Sequence, residues 1–540
     1  MYPFSASTLT RAAFSEDAPT SDPQKPDEIR PKDNLLKFPT RGISILPNGK
    51  RRVKLVSTGN TCPAEYQETF MEKQFLYDVD TSDIVSVSPD TPASHALKER
   101  LSTGHVVGLA MADVSPTMAV FLLSAGVFVA GGTFAAGVNI LMMGMVVLIA
   151  MCLGELASMY PSAGGMYTLV RETLPAPFSW VTMFNYLLQG VIIPASIGLG
   201  IAQFLRDLYP AFPLPDTIIA CASIALAAFI AVTKVEVGAW LTVVMVFVEL
   251  TVLGIVTVAG FTHVHQPLGA LILHPVMLNT TGNGTFAVGM VAVFASLAPA
   301  FNVINGYDAA LGFAEELHGG RKNIGKAVVW SAIIASITII VPLLAAMVAA
   351  PDLVAFLKAP SPVLYSVETA MGPWAKYVVD FGVMVALFNA ALSLMMYFGR
   401  GVYATGRDGA WPDAINKRIG TLNRFSVPGW ATLSLAVPAC ILVFFSYLDW
   451  LLNFSGTMIA AVYFCIGLAA FWARISQSDV ERPFKMPLWP FPPLVVVAFT
   501  GFALYSQGLQ YLMGEVALVV VGIVSWQLSK TWSRGKSNKV

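Results

Sequence analysis

Charge is scarce in this chain. Aspartate, glutamate, lysine and arginine make up 12% of its 540 residues, against about 25% in ordinary soluble domains. At 55% hydrophobic residues, most of the chain must be solvated by lipid or by itself. Acids and bases balance to a net charge of +0, which argues against an acidic partner such as nucleic acid. Cysteine is also rare. Cys62, Cys152, Cys221, Cys440 and Cys465 show no paired spacing and four of them sit in apolar runs, so neither a disulfide framework nor a zinc site is expected. No metal or other cofactor is expected. The N-terminus has no apolar h-region, and Glu16, Asp17, Asp22, Asp27 and Glu28 speak against a transit peptide. No nucleophile–base pair or metal motif marks a membrane enzyme, and no pore-lining repeat marks a channel.

What the chain has instead is length in its apolar runs. Twelve of them, each near or above the ~20 residues that cross a bilayer core, fall at 105–131, 134–157, 176–205, 216–233, 237–261, 286–317, 325–350, 374–399, 428–447, 450–473, 487–508 and 511–530. With the N-terminal tail inside, the inner connections collect Arg171, Lys234, Arg321, Lys322, Lys326, Arg400, Arg407, Lys417, Arg418, Arg424, Arg474, Arg482 and Lys485, while the outer side holds Arg206, Lys358 and Lys376. This bias predicts an all-α, multi-pass membrane protein with twelve transmembrane helices and both termini cytoplasmic. The plasma membrane is the expected location.

Residues 1–100 read as a flexible cytoplasmic tail, broken by Pro, Ser and Asp. It carries a basic run at Lys50-Arg51-Arg52-Lys54 and a weak amphipathic pattern over 64–78. Residues 101–480 form the expected ten-helix core, and 481–540 two peripheral helices with a C-terminal tail. The outer connection 262–285 carries His263, His265 and His274, read as surface residues. It also holds sequons at Asn279-Thr280-Thr281 and Asn283-Gly284-Thr285, glycosylation acceptors if the source is eukaryotic.

Two runs are interrupted. The first contains Asp113, Ser115, Pro116 and Thr117; the sixth contains Pro299, Asn305, Gly306 and Asp308. Proline removes a donor and glycine weakens a helix, so freed backbone groups need partners at membrane depth, as in a ligand cavity. Interruptions in runs one and six point to two five-helix repeats of opposite orientation with a site between them. At 1.5 Å per residue, Asp113, Asp308 and Glu249 lie about 12, 14 and 18 Å from the inner ends of their runs. No lysine or arginine lies as deep, so these acids must be protonated, hydrated or paired with a cation from outside the chain. Asp380, by contrast, has Lys376 one turn before it and reads as an ordinary helix pair.

The residues Glu155–Tyr167 (ELASMYPSAGGMY), Gly306-Tyr307-Asp308, Ala314-Glu315-Glu316 and Arg407–Pro412 (RDGAWP) together resemble the amino acid–polyamine–organocation permeases, over roughly 105–510. The resemblance implies the leucine-transporter-like fold, with two inverted five-helix repeats, discontinuous helices 1 and 6, and two peripheral helices. It implies alternating access with an amino acid or related amine as substrate, H+ or Na+ as coupling ion, and the bilayer as partner. The acid at 308 then takes part in proton-linked gating, and Glu315, Glu316 and Arg321 fall near the inner gate. Three departures stand out. Asp113-Val114-Ser115-Pro116-Thr117 replaces a glycine-rich break that would bind a carboxylate, which brings amines into play. Glu249 falls where many proton-coupled members have a lysine. Gly320 and Gly325 replace the prolines usual after the A-E-E motif.

The substrate-binding candidates are therefore Asp113, Ser115, Thr117, Asn305, Gly306 and Tyr307. The coupling and gating candidates are Asp308, Glu249, Glu315, Glu316 and Arg321. Each acid has a plainer role open to it: Asp308 as a structural acid facing a cavity, Asp113 as a bond to broken backbone, Glu249 as polar packing between helices. Asn389 and Ser393 are further cation-site candidates, and Glu155 with the Pro161–Tyr167 loop reads as inner-gate structure. The expected function is secondary active transport of an amino acid or small amine, proton-coupled. A nutrient sensor that retains the binding site but no longer transports is the alternative.

Overall fold

Apolar runs of this length cannot leave amides unpaired in hydrocarbon, and the helix pairs them internally. The computed structural model, which describes residues 43–45, 51–53, 101–279 and 281–537, is helical in every one of the twelve runs. The chain divides into two compact units, Met1–Thr91 and Pro92–Val540. In the first, Ile43–Ile45 pairs antiparallel with Arg51–Val53. Cys62, the 64–78 pattern and most of the expected tail lie outside the described residues.

The second unit begins with α1 (Thr103–Val114), capped by the Ser102 side chain on the His105 amide. Then comes α2, formed by Pro116–Met118, a π turn at Ala119–Leu123 and Ser124–Gly131. Next are α3 (Ala135–Met159), α4 (Gly165–Thr173), α5 (Ala176–Leu208), α6 (Asp216–Ala231) and α7 (Val235–Thr262). The sixth run gives α8 (Met290–Val303) and a 3-10 stretch, Tyr307–Phe313. The remaining long helices are α9 (Gly320–Ala349), α10 (Pro373–Arg407), α11 (Gly429–Val443), α12 (Leu448–Ser476), α13 (Phe491–Tyr505) and α14 (Leu509–Ser537).

Among the described residues, seven helical stretches are long and apolar enough to cross a membrane, with α6, α11 and α13 as shorter apolar helices. Their outward faces carry what water would reject. On α7, Trp240 and Phe247 are more than half exposed, as on a surface that meets lipid rather than solvent.

α1 sits at the centre, packed by α7, the 3-10 stretch, α9 and α10. Just before it, Leu101 pairs in parallel with Leu317: its amide donates to Glu316 O at 2.9 Å, and its carbonyl accepts from His318 N at 3.0 Å. The approach to the first run is thereby tied to the exit of the sixth.

The helix of the sixth run continues through Pro299 and ends at Val303, which leaves the break at Asn305-Gly306 where it was expected. One local expectation is refined. Lys376 lies close enough for its charge to act on Asp380, but the two share no hydrogen bond: both Asp380 carboxylate oxygens are buried without a hydrogen-bond partner among the described residues, and Lys376 lines a cavity.

Candidate functional site

Both interruptions become true breaks, and each turns on one residue with positive φ. Ser115 closes α1 at φ 41°, its amide donating to Met111 O, and Pro116 then opens α2. Gly306 follows the end of α8 at φ 103°, a conformation that glycine adopts without a side-chain clash. The two breaks touch. A Cβ on Gly306 would lie 2.7 Å from the Val114 amide nitrogen and 2.9 Å from Asp113 Oδ2.

Three buried carboxylates surround this contact, each placed differently. Asp308 accepts from Tyr397 OH at 2.8 Å and from Tyr463 OH at 3.3 Å. The Tyr463 hydroxyl also lies 2.9 Å from Asn305 Oδ1. One hydroxyl proton thus faces two acceptors, which links the break to the acid below it. Glu249 on α7 accepts from Ser115 Oγ at 3.0 Å and from Asn389 Nδ2 at 2.7 Å, while its backbone carbonyl accepts from Thr117 Oγ1 at 3.2 Å. Asp113 is 5% exposed, and its Oδ1 has no hydrogen-bond partner among the described residues.

Asp113 lines a small cavity of about 20 Å³, together with Met118, Ile193, Ser196, Asn305 and Leu394. Leu122, Leu123, Asn302 and Leu452 line both this cavity and a larger one of about 700 Å³. The larger cavity reaches the ends of α2, α5 and α12, and Asp207, Glu368 and Lys376 stand in its wall.

The other end of the bundle is shut by charge. Glu315 accepts from Arg407 at 2.7 and 3.0 Å and from the Ala163 amide at 3.0 Å. Glu155 accepts from Arg474 at 2.7 and 2.6 Å and from the Met486 amide at 2.7 Å, with Arg482 Nε 3.3 Å away. Arg171 pairs with Asp408. Arg321 donates to the Ser158 and Met159 carbonyls at 3.3 and 2.9 Å. Deeper in, Arg400 and Glu316 form a buried pair, and the guanidinium lies 4.5 Å from the centre of the Phe313 ring. Here α3, the segment after the 3-10 stretch, α10 and the end of α12 are clamped together.

Of the candidate binding residues, Asp113 and Asn305 line the small cavity. Ser115 and Thr117 direct their hydroxyls to Glu249. Gly306 packs on Asp113, and Tyr307 is wholly buried, its ring stacked on Tyr463 at 6.2 Å. Asn389 joins Glu249, and Ser393 donates to Leu109 O at 2.9 Å. Glu155, Glu315, Glu316 and Arg321 meet at the closed end. Sequence reasoning missed Tyr397, Tyr463, Asn302 and Ser455. A polar residue within an apolar run was the signal available, and it is shared by many packing residues. It also put Arg400 in a connection, whereas the residue lies within α10 at 1% exposure.

A family model described as amino acid permease matches residues 101–526. The branched-chain amino acid permease BcaP of Bacillus subtilis (strain 168) is 22% identical over 75% of this chain and 89% of its own length. Cationic amino acid transporter 8, vacuolar, of Arabidopsis thaliana is 24% identical over 70% of this chain and 63% of its own. The arginine/agmatine antiporter of Chlamydia abortus is 26% identical over 29% of this chain and 32% of its own.

Proposed function

The chain belongs to the amino acid permease family, and on that premise we propose that it is a secondary active transporter. It carries an amino acid or small organic amine across the bilayer by alternating access, coupled to protons. The observation that carries this reading is the asymmetry of the bundle. A cavity system beside the two breaks reaches one end, while ion pairs close the other.

By the excess of arginine and lysine, the closed end is cytoplasmic, so the conformation faces outward. Breaks in runs one and six support a leucine-transporter-like arrangement of twelve spans in two inverted repeats. Substrate enters through the larger cavity and settles at Asp113 and Asn305. Gating then requires the Glu315–Arg407, Glu155–Arg474 and Arg171–Asp408 contacts to open. The breaks are where α1 and α2, and α8 and the 3-10 stretch, swing relative to each other.

Asp308 and Glu249 are the candidate proton carriers. Both are buried acids without a basic side chain bonded to them among the described residues, a placement that marks proton relays in membranes. Asp308 shares the Tyr463 hydroxyl with Asn305 and Glu249 accepts from Ser115, which supports a protonation change beside each break. The plasma membrane is the proposed location, to be tested by microscopy of a fluorescent fusion.

The deciding experiment is uptake of radiolabelled amino acids and amines by proteoliposomes holding the full chain. Saturable uptake driven by an inward proton gradient is expected. Saturable binding with no uptake under any gradient would overturn the transporter reading. Uptake driven by Na+ and indifferent to the proton gradient would overturn the coupling assignment.

A further inference from the structure

We propose, resting on the transporter reading, that the two adjoining cavities beside the breaks together take a small aliphatic amine with no free carboxylate, its ammonium in the small cavity at Asp113 and its chain extending toward the larger one. The wall chemistry carries this. Asp113 is the one charged residue lining the small cavity, and it is 95% buried with Oδ1 unpartnered among the described residues. The remaining polar residues are Ser196, Asn302, Asn305 and Ser455.

Their hydroxyl donors are already committed. Ser196 Oγ donates to Ile193 O at 2.7 Å. Ser455 Oγ has Leu452 O at 2.8 Å and Asn302 Oδ1 at 3.0 Å as acceptors. Asn302 Nδ2 gives one N–H to Leu452 O at 2.6 Å. At the break, the Ser115 amide is bonded to Met111 O and Pro116 has no N–H. The Ser115 and Thr117 hydroxyls are drawn away to Glu249.

A carboxylate placed here meets an acid, no cation, and on the wall only asparagine N–H groups as free side-chain donors, so the Thr117 and Met118 amides at the start of α2 would have to hold it against Asp113. An ammonium meets a carboxylate oxygen without a partner. The rest of the wall is aliphatic: Met118, Leu123, Ile193, Ile197 and Leu394 suit a short hydrocarbon chain and offer it no hydrogen bond. The approach has the same sign. In the larger cavity, Asp207 and Glu368 outnumber Lys376, and a net acidic cleft concentrates cations.

The test uses matched pairs that differ only by the carboxylate: alanine and ethylamine, valine and 2-methylpropylamine, leucine and 3-methylbutylamine. Binding to the purified full-length protein in lipid nanodiscs is measured by radioligand displacement and thermal shift. In at least the best-bound pair, the amine should bind more tightly than the amino acid by about tenfold or more, because unpaired buried polar groups discriminate strongly. The carboxylic acid 4-methylpentanoate should not bind. Asp113→Asn should weaken amine binding by about tenfold, while Asp113→Glu, which keeps the charge, should retain it.

Amino acids that bind as tightly as their amines would overturn the proposal, as would an Asp113→Asn protein whose amine affinity is unchanged. The wild-type comparison decides even if the variants do not fold. If amino acids bind and enter proteoliposomes while amines do not, this inference alone fails. If neither class binds nor is taken up, the transporter reading fails with it.

Discussion

At the residue scale, one glycine and one ion pair carry more than their side chains advertise. Gly306 sits at φ 103° against the Asp113–Val114 backbone. Gly306→Ala adds the left-handed backbone cost of about 1–2 kcal/mol and forces the two breaks apart. The expected outcome is a protein that still inserts and elutes as a single species, with substrate binding lost by thermal shift. Arg400 and Glu316 form the second case, an ion pair whose side chains are 1% and 3% exposed. Removing one partner of such a pair leaves a buried charge and costs about 3–5 kcal/mol, whereas replacing both with apolar residues is often neutral. Arg400→Met and Glu316→Leu should each lower the thermal unfolding midpoint, and the double variant should recover most of the loss. A double variant as unstable as the sum of the singles would show that the pair is not a local unit.

At the element scale, proline proves a poor guide to where a helix stops. Pro194, Pro299, Pro342 and Pro438 all lie inside continuous helices. The two interrupted runs break beside a residue of positive φ, Ser115 in the first and Gly306 in the sixth. A lone proline costs one hydrogen bond and a bend, which neighbouring helices can absorb, so the helix runs through Pro299 to Val303. The twelve runs were legible because lipid demands length and apolarity of every helix. The pairing of breaks one and six was legible because polar residues at that depth are costly. The tyrosines that hold Asp308 were not, since a tyrosine in an apolar run looks the same whether it packs or bonds. Nor was the direction of the Ser115 and Thr117 hydroxyls, which depends on α7 delivering Glu249 from far along the chain. The clamp at the closed end yields a prediction at this scale. Glu315→Gln removes the charge that holds Arg407 and the Ala163 amide. Partly exposed ion pairs are worth about 0.2–1 kcal/mol, so a cysteine placed at Ala163, buried at 0% exposure, should react about 2- to 5-fold faster with maleimide in the Glu315→Gln background. An unchanged rate would mean that this pair does not hold the end shut.

For the whole molecule, the decisive property is which end opens to which side of the membrane. Arg171, Arg321, Arg407, Arg474 and Arg482 gather at the closed end, whereas the larger cavity reaches the end that carries Pro360 and Ser361. In the proposed orientation the arginine-rich end lies in the cytoplasm. In a background with the five native cysteines replaced, Asn283→Cys in the 262–285 connection should react with an impermeant maleimide on intact cells. Ser478→Cys, just past α12, should react only after permeabilisation. The reverse pattern would invert the protein and make the cavity system cytoplasmic. Ser361→Cys adds the test of motion. Its parent side chain donates to Phe121 O at 3.3 Å on α2 and lines the larger cavity, so it should be labelled in the substrate-free protein. A bound substrate that drives the bundle toward the opposite state must close this mouth as it loosens the arginine clamp. Labelling at Ser361→Cys should then fall and labelling at Ala163→Cys should rise at the same substrate concentration. If one site changes while the other does not, the two ends are not coupled and the protein binds without alternating.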